Sequence, residues 1–147
     1  MFRGTHQHSM DSKGRLNVPA RFREWLEEHC RGQLVVTIDK DRCLVAYPLP
    51  HWEEIERKLA QLPSADPAVR KFQRLFVGHA EELGLDAQGR VLISPTLRRF
   101  ANLEKNVVLV GQVHKFEIWD QGLWNLRQEE WLASMDEDFT HLGDLVL

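Results

Sequence analysis

Two short segments pair an acid, a glycine and an arginine in the same order. They are Asp11-Ser12-Lys13-Gly14-Arg15 and Asp86-Ala87-Gln88-Gly89-Arg90, 75 residues apart. Glycine takes a positive φ without steric cost, and aspartate accepts from backbone N–H groups two residues on, so each segment reads as a tight turn. Arginine carries a planar fork of donors that matches a phosphate or the O6/N7 edge of guanine. The chemistry on offer is therefore recognition of anions and base edges. A lone Gly-Arg turn is ordinarily a solvated hairpin, and an arginine four residues after an aspartate can simply pair with it. Duplication in equivalent places weighs against that plain reading.

More cations surround the turns. Lys13 stands beside Gly14, where the second turn has the neutral Gln88. Arg21 and Arg23 follow the first turn, Arg98 and Arg99 follow the second, and Arg3 precedes the first. Residues 1–23 set Arg3, Lys13, Arg15, Arg21 and Arg23 against Asp11 alone, whereas residues 120–147 hold seven acids and one arginine, Arg127. The net charge of −3 excludes a chain that coats nucleic acid by bulk attraction. A local basic patch can still bind an anion, because salt screens charges beyond about 10 Å. The candidate contact residues are thus Arg15, Arg90, Lys13, Arg3, Arg21, Arg23, Arg98 and Arg99, with Asp11, Gly14, Asp86 and Gly89 forming the turns.

The elements that must position these residues also repeat. Phe22-Arg23 matches Leu97-Arg98 at the offset of 75. Leu34–Ile38 with Cys43–Tyr47 forms one strand pair, and Val107–Val110 with Lys115–Trp119 forms the other. Each pair leads through a tryptophan, Trp52 or Trp124, into a helix, and the offset has fallen to 72. Each half reads as strand, glycine turn, strand, short helix, hairpin, helix. Pro19 is expected to begin a helix. Trp52, Ile55, Leu59 and Leu62 mark an apolar helical stripe. Asp66 and Pro67 predict the start of a connecting helix that buries Val69, Phe72, Phe76 and Leu83. Trp124, Gln128, Trp131 and Met135 share a face of the last helix, and the acidic tail after Asp136 is expected to be partly mobile. The organisation is a first half over residues 1–63, a connecting helix over 64–83 and a second half over 84–147. The tryptophans are expected to be core and interface anchors. A half of about 70 residues buries little surface alone, so the halves must share a core or associate.

Other function classes find little support. His6 and His8 fall on one face of a strand but have no third ligand at a recognisable spacing, so no metal site is expected. No nucleophile motif, phosphate-binding glycine loop or catalytic pair is present, so neither an enzyme nor a cofactor or small-molecule substrate is expected. Cys30 and Cys43 read as reduced structural thiols. There is no apolar run of transmembrane length and no signal-type h-region, which predicts a cytoplasmic protein without a membrane partner.

Taken together, the opening Met1-Phe2-Arg3-Gly4, the duplicated Asp-x-x-Gly-Arg turns, Pro19, and the Leu109–Gln112 and Lys115–Trp119 segments resemble the MraZ family. The resemblance runs from Met1 to about Trp124. It implies an α+β, mainly β fold: two pseudo-symmetric, AbrB/SpoVT-like swapped-hairpin β-halves in one chain, with flanking helices. It implies a nucleoid-associated transcription factor that binds repeated sites in double-stranded promoter DNA of its own division and cell-wall gene cluster. It also implies self-assembly into a ring-shaped homo-oligomer. Ser94-Pro95 departs from the two prolines usual in the family, and a looser turn is expected there. An antitoxin-like interaction protein is the alternative, with the acidic segment 120–147 as its binding surface.

Overall fold

A computed structural model describes residues 1–146, excluding the side chains of His141, Asp144 and Val146. Strand β1 (Thr5–Ser9) turns into β2 (Arg15–Asn17), followed by helix α1 (Ala20–Cys30), the hairpin β3 (Gln33–Ile38) and β4 (Leu44–Pro48), and helix α2 (Leu49–Ala60). The second half repeats this order. It comprises β5 (Glu81–Gly84), β6 (Arg90–Leu92), α4 (Pro95–Ala101), β7 (Asn106–Gly111), β8 (Phe116–Asp120) and α5 (Gln121–Ala133).

The halves exchange strands. The main sheet has the order β1-β7-β8-β4-β3-β5, and every pairing is antiparallel. The first strand of each half therefore pairs with the hairpin of the other half. A pseudo-two-fold axis runs between β4 and β8: Leu44 faces Ile118, and Ala46 faces Phe116. Strands β2 and β6 pair with each other as a separate two-stranded ribbon. A half alone lacks partners for these strands, so the chain folds as one interlocked unit.

The sheet is buried on both faces, which explains why Leu34-Val35-Val36-Thr37-Ile38 is a continuous run and does not alternate. One face packs Leu34, Val36, Leu109 and Ile118 against Phe22 and Leu26 of α1, Leu97 of α4, and Leu16, Val18, Val91 and Ile93 from the ribbon. The other face carries two smaller clusters. Val35, Val45 and Tyr47 pack on Trp52 of α2, while Val108 and Trp119 pack on Leu123 and Trp124 of α5. Thr37, wholly buried, donates its hydroxyl proton to the Phe76 carbonyl at 2.6 Å.

The shrinking repeat offset has a physical origin. Helix α1 ends at Arg31 and α4 at Asn102, both left-handed caps, so α4 is one turn shorter. A longer link to β7 recovers two residues, and a second hairpin loop one residue shorter brings the offset to 72.

Four expectations need correction. Pro19 caps α1, which begins at Ala20. The connecting helix is short: α3 spans Pro67–Phe72, capped by the Asp66 carboxylate accepting from the Ala68 N–H, and passes into a π-helical turn, Gln73–Val77. Leu83 lies in β5 instead, because Gln33–Val36 offers that segment an open strand edge, and Phe72 is largely exposed. The acidic tail is helical. After a break at Ser134, α6 covers Met135–Val146, with Asp136, Glu137 and Asp138 in its first turn, where the helix dipole favours negative charge.

Candidate nucleic-acid interface

Both turns have the same wiring. In the first, the Asp11 N–H donates to the Arg15 carbonyl and the Gly14 N–H donates to the Asp11 carbonyl, each at 3.0 Å. Asp11 Oδ1 accepts from the backbone N–H groups of Lys13 and Arg15, and Oδ2 accepts from Arg15 Nε at 2.6 Å. In the second turn Asp86 makes the same bonds to Gly89, Gln88 and Arg90, with Nε at 3.1 Å. The donated Arg15 and Arg90 backbone N–H groups, assisted by the arginine side chains, hold Asp11 and Asp86 below the usual carboxylate range. Gly14 and Gly89 take φ of 92° and 75°, which only glycine adopts readily.

Each aspartate grips its arginine by Nε, leaving the terminal amino groups for other partners. Among the described residues those of Arg15 have no hydrogen-bond partner. In the second turn Gln88 Oε1 accepts from Arg90 Nη2. The Arg15 side chain is 39% exposed and that of Arg90 25%. The first turn thus presents a free fork and an exposed lysine, and the second a partly engaged fork.

The ribbon joins the two turns. Arg15 pairs with Leu92, Leu16 with Val91, and Asn17 with Arg90. The ladder continues through the Ile93 N–H to Gly14 and the Val18 N–H to Gly89. Side chains alternate across a strand, so Leu16 and Val91 point into the core, and Arg15, Asn17, Arg90 and Leu92 share the outer face. The sequence placed both arginines in turns but did not reveal that a single ribbon unites them.

The remaining cations have varied surroundings. Lys13 is exposed beside Arg15. Arg23 crosses to the opposite half, packs on Gly89 and donates from Nη1 to the Gln88 carbonyl at 3.3 Å. Arg98 crosses the other way, packs on Gly14 and donates from Nε to the Ile93 carbonyl at 3.0 Å. These two arginines bind the halves together at the turns. The signal was in the sequence, since Arg23 and Arg98 match at the repeat offset. Arg99 is exposed on α4. Arg3 and Arg21 line a depression with His6, Trp25, Glu24 and Glu28, where the acids dilute their charge. Arg3 precedes β1, with the whole strand between it and the first turn.

Ser94 does not loosen its turn. Its hydroxyl accepts from the Leu97 N–H, capping α4, and donates to Glu81 at 2.6 Å. His6 and His8 share a face of β1, and the His6 ring contacts the Phe22 ring edge-on. Burial, then His6 and Arg23, lowers the pKa of His8. Asp39, Cys43 and Glu117 hold three potential ligand atoms within 4.8 Å of one another. Burial raises the pKa of both Cys43 and Glu117.

Comparison with known proteins agrees with the duplicated architecture. The family model described as "MraZ protein, putative antitoxin-like" matches twice, over residues 1–75 and 76–143. The chain belongs to the MraZ family. Among its relatives, a protein of Acidithiobacillus ferrooxidans is 66% identical over the full length of both chains. One of Pseudomonas aeruginosa is 51% identical, also over the full length of both. One of Halorhodospira halophila is 56% identical over 90% of this chain and 88% of its own. Each bears the name Transcriptional regulator MraZ; none of these names denotes an enzyme. No described helix is long and apolar enough to cross a membrane.

Proposed function

We propose that this chain is a sequence-specific, DNA-binding transcriptional regulator that reads base edges with the outer face of its β2–β6 ribbon. The observation that carries this reading is the aspartate-anchored fork of Arg15, free at its terminal amino groups and set on an exposed ribbon. A two-stranded ribbon fits the major groove, and an arginine fork suits the O6/N7 edge of guanine. Lys13 and Arg99 add phosphate attraction, and Arg90 is the weaker second reader. Arg23 and Arg98 act by fixing the two turns.

The DNA is the repeated promoter sequence upstream of the protein's own division and cell-wall gene cluster, and the working form is a ring-shaped homo-oligomer at the nucleoid. Exposed apolar side chains favour self-association. Phe72, Leu75 and Phe76 line one groove with Tyr47 and Phe100, while Leu126, Trp131, Leu132, Met135 and Phe139 lie outward on α5 and α6. Several identical ribbons on repeated sites would strengthen binding by about 10²–10⁴ through effective concentration.

Fluorescence anisotropy with the upstream promoter DNA, across a salt series, tests the reading. Native protein is expected to bind, with an affinity that falls as salt rises. Arg15→Ala, folded and assembled, is expected to lose about 1–3 kcal/mol per site on cognate repeats. No binding by the native protein, or no change in the variant, would return Arg15 to the role of a hairpin arginine.

A further inference from the structure

The outer face of the ribbon carries four side chains, of which the proposed function uses only Arg15 and Arg90. The other two are Asn17 and Leu92. They occupy equivalent places in the two halves, 75 residues apart, but differ completely in chemistry. Asn17 is exposed and lies opposite Arg90. Leu92 is 56% exposed and lies opposite Arg15. An isolated exposed leucine is unremarkable on a large surface. Here it occupies one of four outward positions on a three-residue ribbon, cross-strand from an arginine with a free fork.

We infer that Asn17 and Leu92 are specificity-determining residues, with Asn17 reading an adenine edge and Leu92 packing on a thymine methyl group. Asparagine offers one donor and one acceptor, the pattern complementary to adenine N7 and N6 in the major groove. Leucine offers neither and can discriminate only by apolar contact, for which the thymine C5-methyl is the major-groove feature available. Arg15 and Leu92 together then favour a guanine close to a thymine, and Asn17 and Arg90 favour an adenine close to a guanine. One pseudo-symmetric ribbon thereby reads an asymmetric site, because the two halves carry different residues at one equivalent position. This rests on the ribbon being the DNA-contacting face.

The test uses the full-length protein and duplexes of the upstream promoter DNA, with every base pair of one repeat replaced in turn. Further duplexes carry uracil for each thymine, which removes only the methyl group, or 7-deazaadenine for each adenine, which removes only N7. Native protein is expected to lose about fourfold at one uracil position, and about tenfold at one deazaadenine position. Leu92→Ala should bind native DNA about fourfold more weakly and become indifferent to that uracil substitution alone. Asn17→Ala should become indifferent to that deazaadenine substitution alone. Both residues are exposed, so circular dichroism and light-scattering mass should match the native protein.

Native-like penalty patterns in both variants, alongside specific binding by the native protein, would overturn the inference and leave the proposed function standing. A Leu92→Ala variant that loses assembly mass but keeps its base preferences would also overturn it, assigning Leu92 to a contact between copies. Failure of the native protein to bind promoter DNA would overturn both readings.

Discussion

The first Gly-Arg turn and the second share a backbone but not a surface. Both close through the same aspartate bonds, and both lean on an arginine from the opposite half. Beyond that they diverge. The first shows Lys13, a free Arg15 fork and Asn17; the second shows Gln88 bonded to Arg90, and Leu92. Duplication has kept what shapes the turn while letting what faces outward drift. A pseudo-symmetric scaffold can therefore carry two unequal outer surfaces on one backbone.

Substituting the two glycines should expose the sharpest contrast in stability. A Cβ on Gly14 would lie 2.6 Å from the Ile93 carbonyl oxygen, a backbone atom of the ribbon itself, at a φ of 92°. On Gly89 the nearest atom is Arg23 Cδ, a side-chain atom that can yield at the expense of the Arg23–Gln88 bond, added to a φ of 75°. Gly14→Ala should cost about 3 kcal/mol and Gly89→Ala about 1–2 kcal/mol, measured by chemical denaturation. Equal losses would show that the turns are mechanically alike.

Ser94 comes next. Loss of its cap and its bond to Glu81 in Ser94→Ala should cost about 1 kcal/mol. The first half has Pro19 there, with no side-chain cap to lose. An unchanged melting midpoint would mean that the hydroxyl is dispensable.

The electrostatic difference can be narrowed by a single exchange. Gln88→Lys copies the first turn into the second and releases the Arg90 fork. It should tighten DNA binding several-fold at low salt and steepen the salt slope by about 1. No change would mean that the second turn sits away from the phosphates.

Acid should produce the smallest effect. Asp11 and Asp86 have lowered pKa values, so their stabilisation is complete above the unfolded value of about 3.9 and is lost as pH falls through the lower folded value. Asp11→Asn and Asp86→Asn should each flatten the drop in melting temperature between about pH 4 and pH 2. A drop as steep as in the native protein would place the acid sensitivity elsewhere.

Much of this organisation was legible in the sequence because it is local. The turns follow from Asp, Gly and Arg at fixed spacing, and the hairpins from unbroken apolar runs. What escaped depends on partners distant in the chain. Leu83 looked like the last apolar residue of a helix, but the free edge of β3 draws it into β5. Arg23 and Arg98 looked like surface cations, yet the strand exchange brings each to the other half's turn. Asn17 and Leu92 were unremarkable until β2 and β6 proved to pair. Ser94 looked like a missing proline, although its hydroxyl finds Glu81 across 13 residues.

The most direct test sets Arg15→Ala against Arg90→Ala on the same promoter repeats, with both proteins folded and of native mass. Arg15→Ala should lose about 1–3 kcal/mol per site and its preference at one guanine position, while Arg90→Ala loses less. Native affinity in both variants would contradict the ribbon as the reading surface, and a larger loss from Arg90→Ala would reverse the order of the two turns.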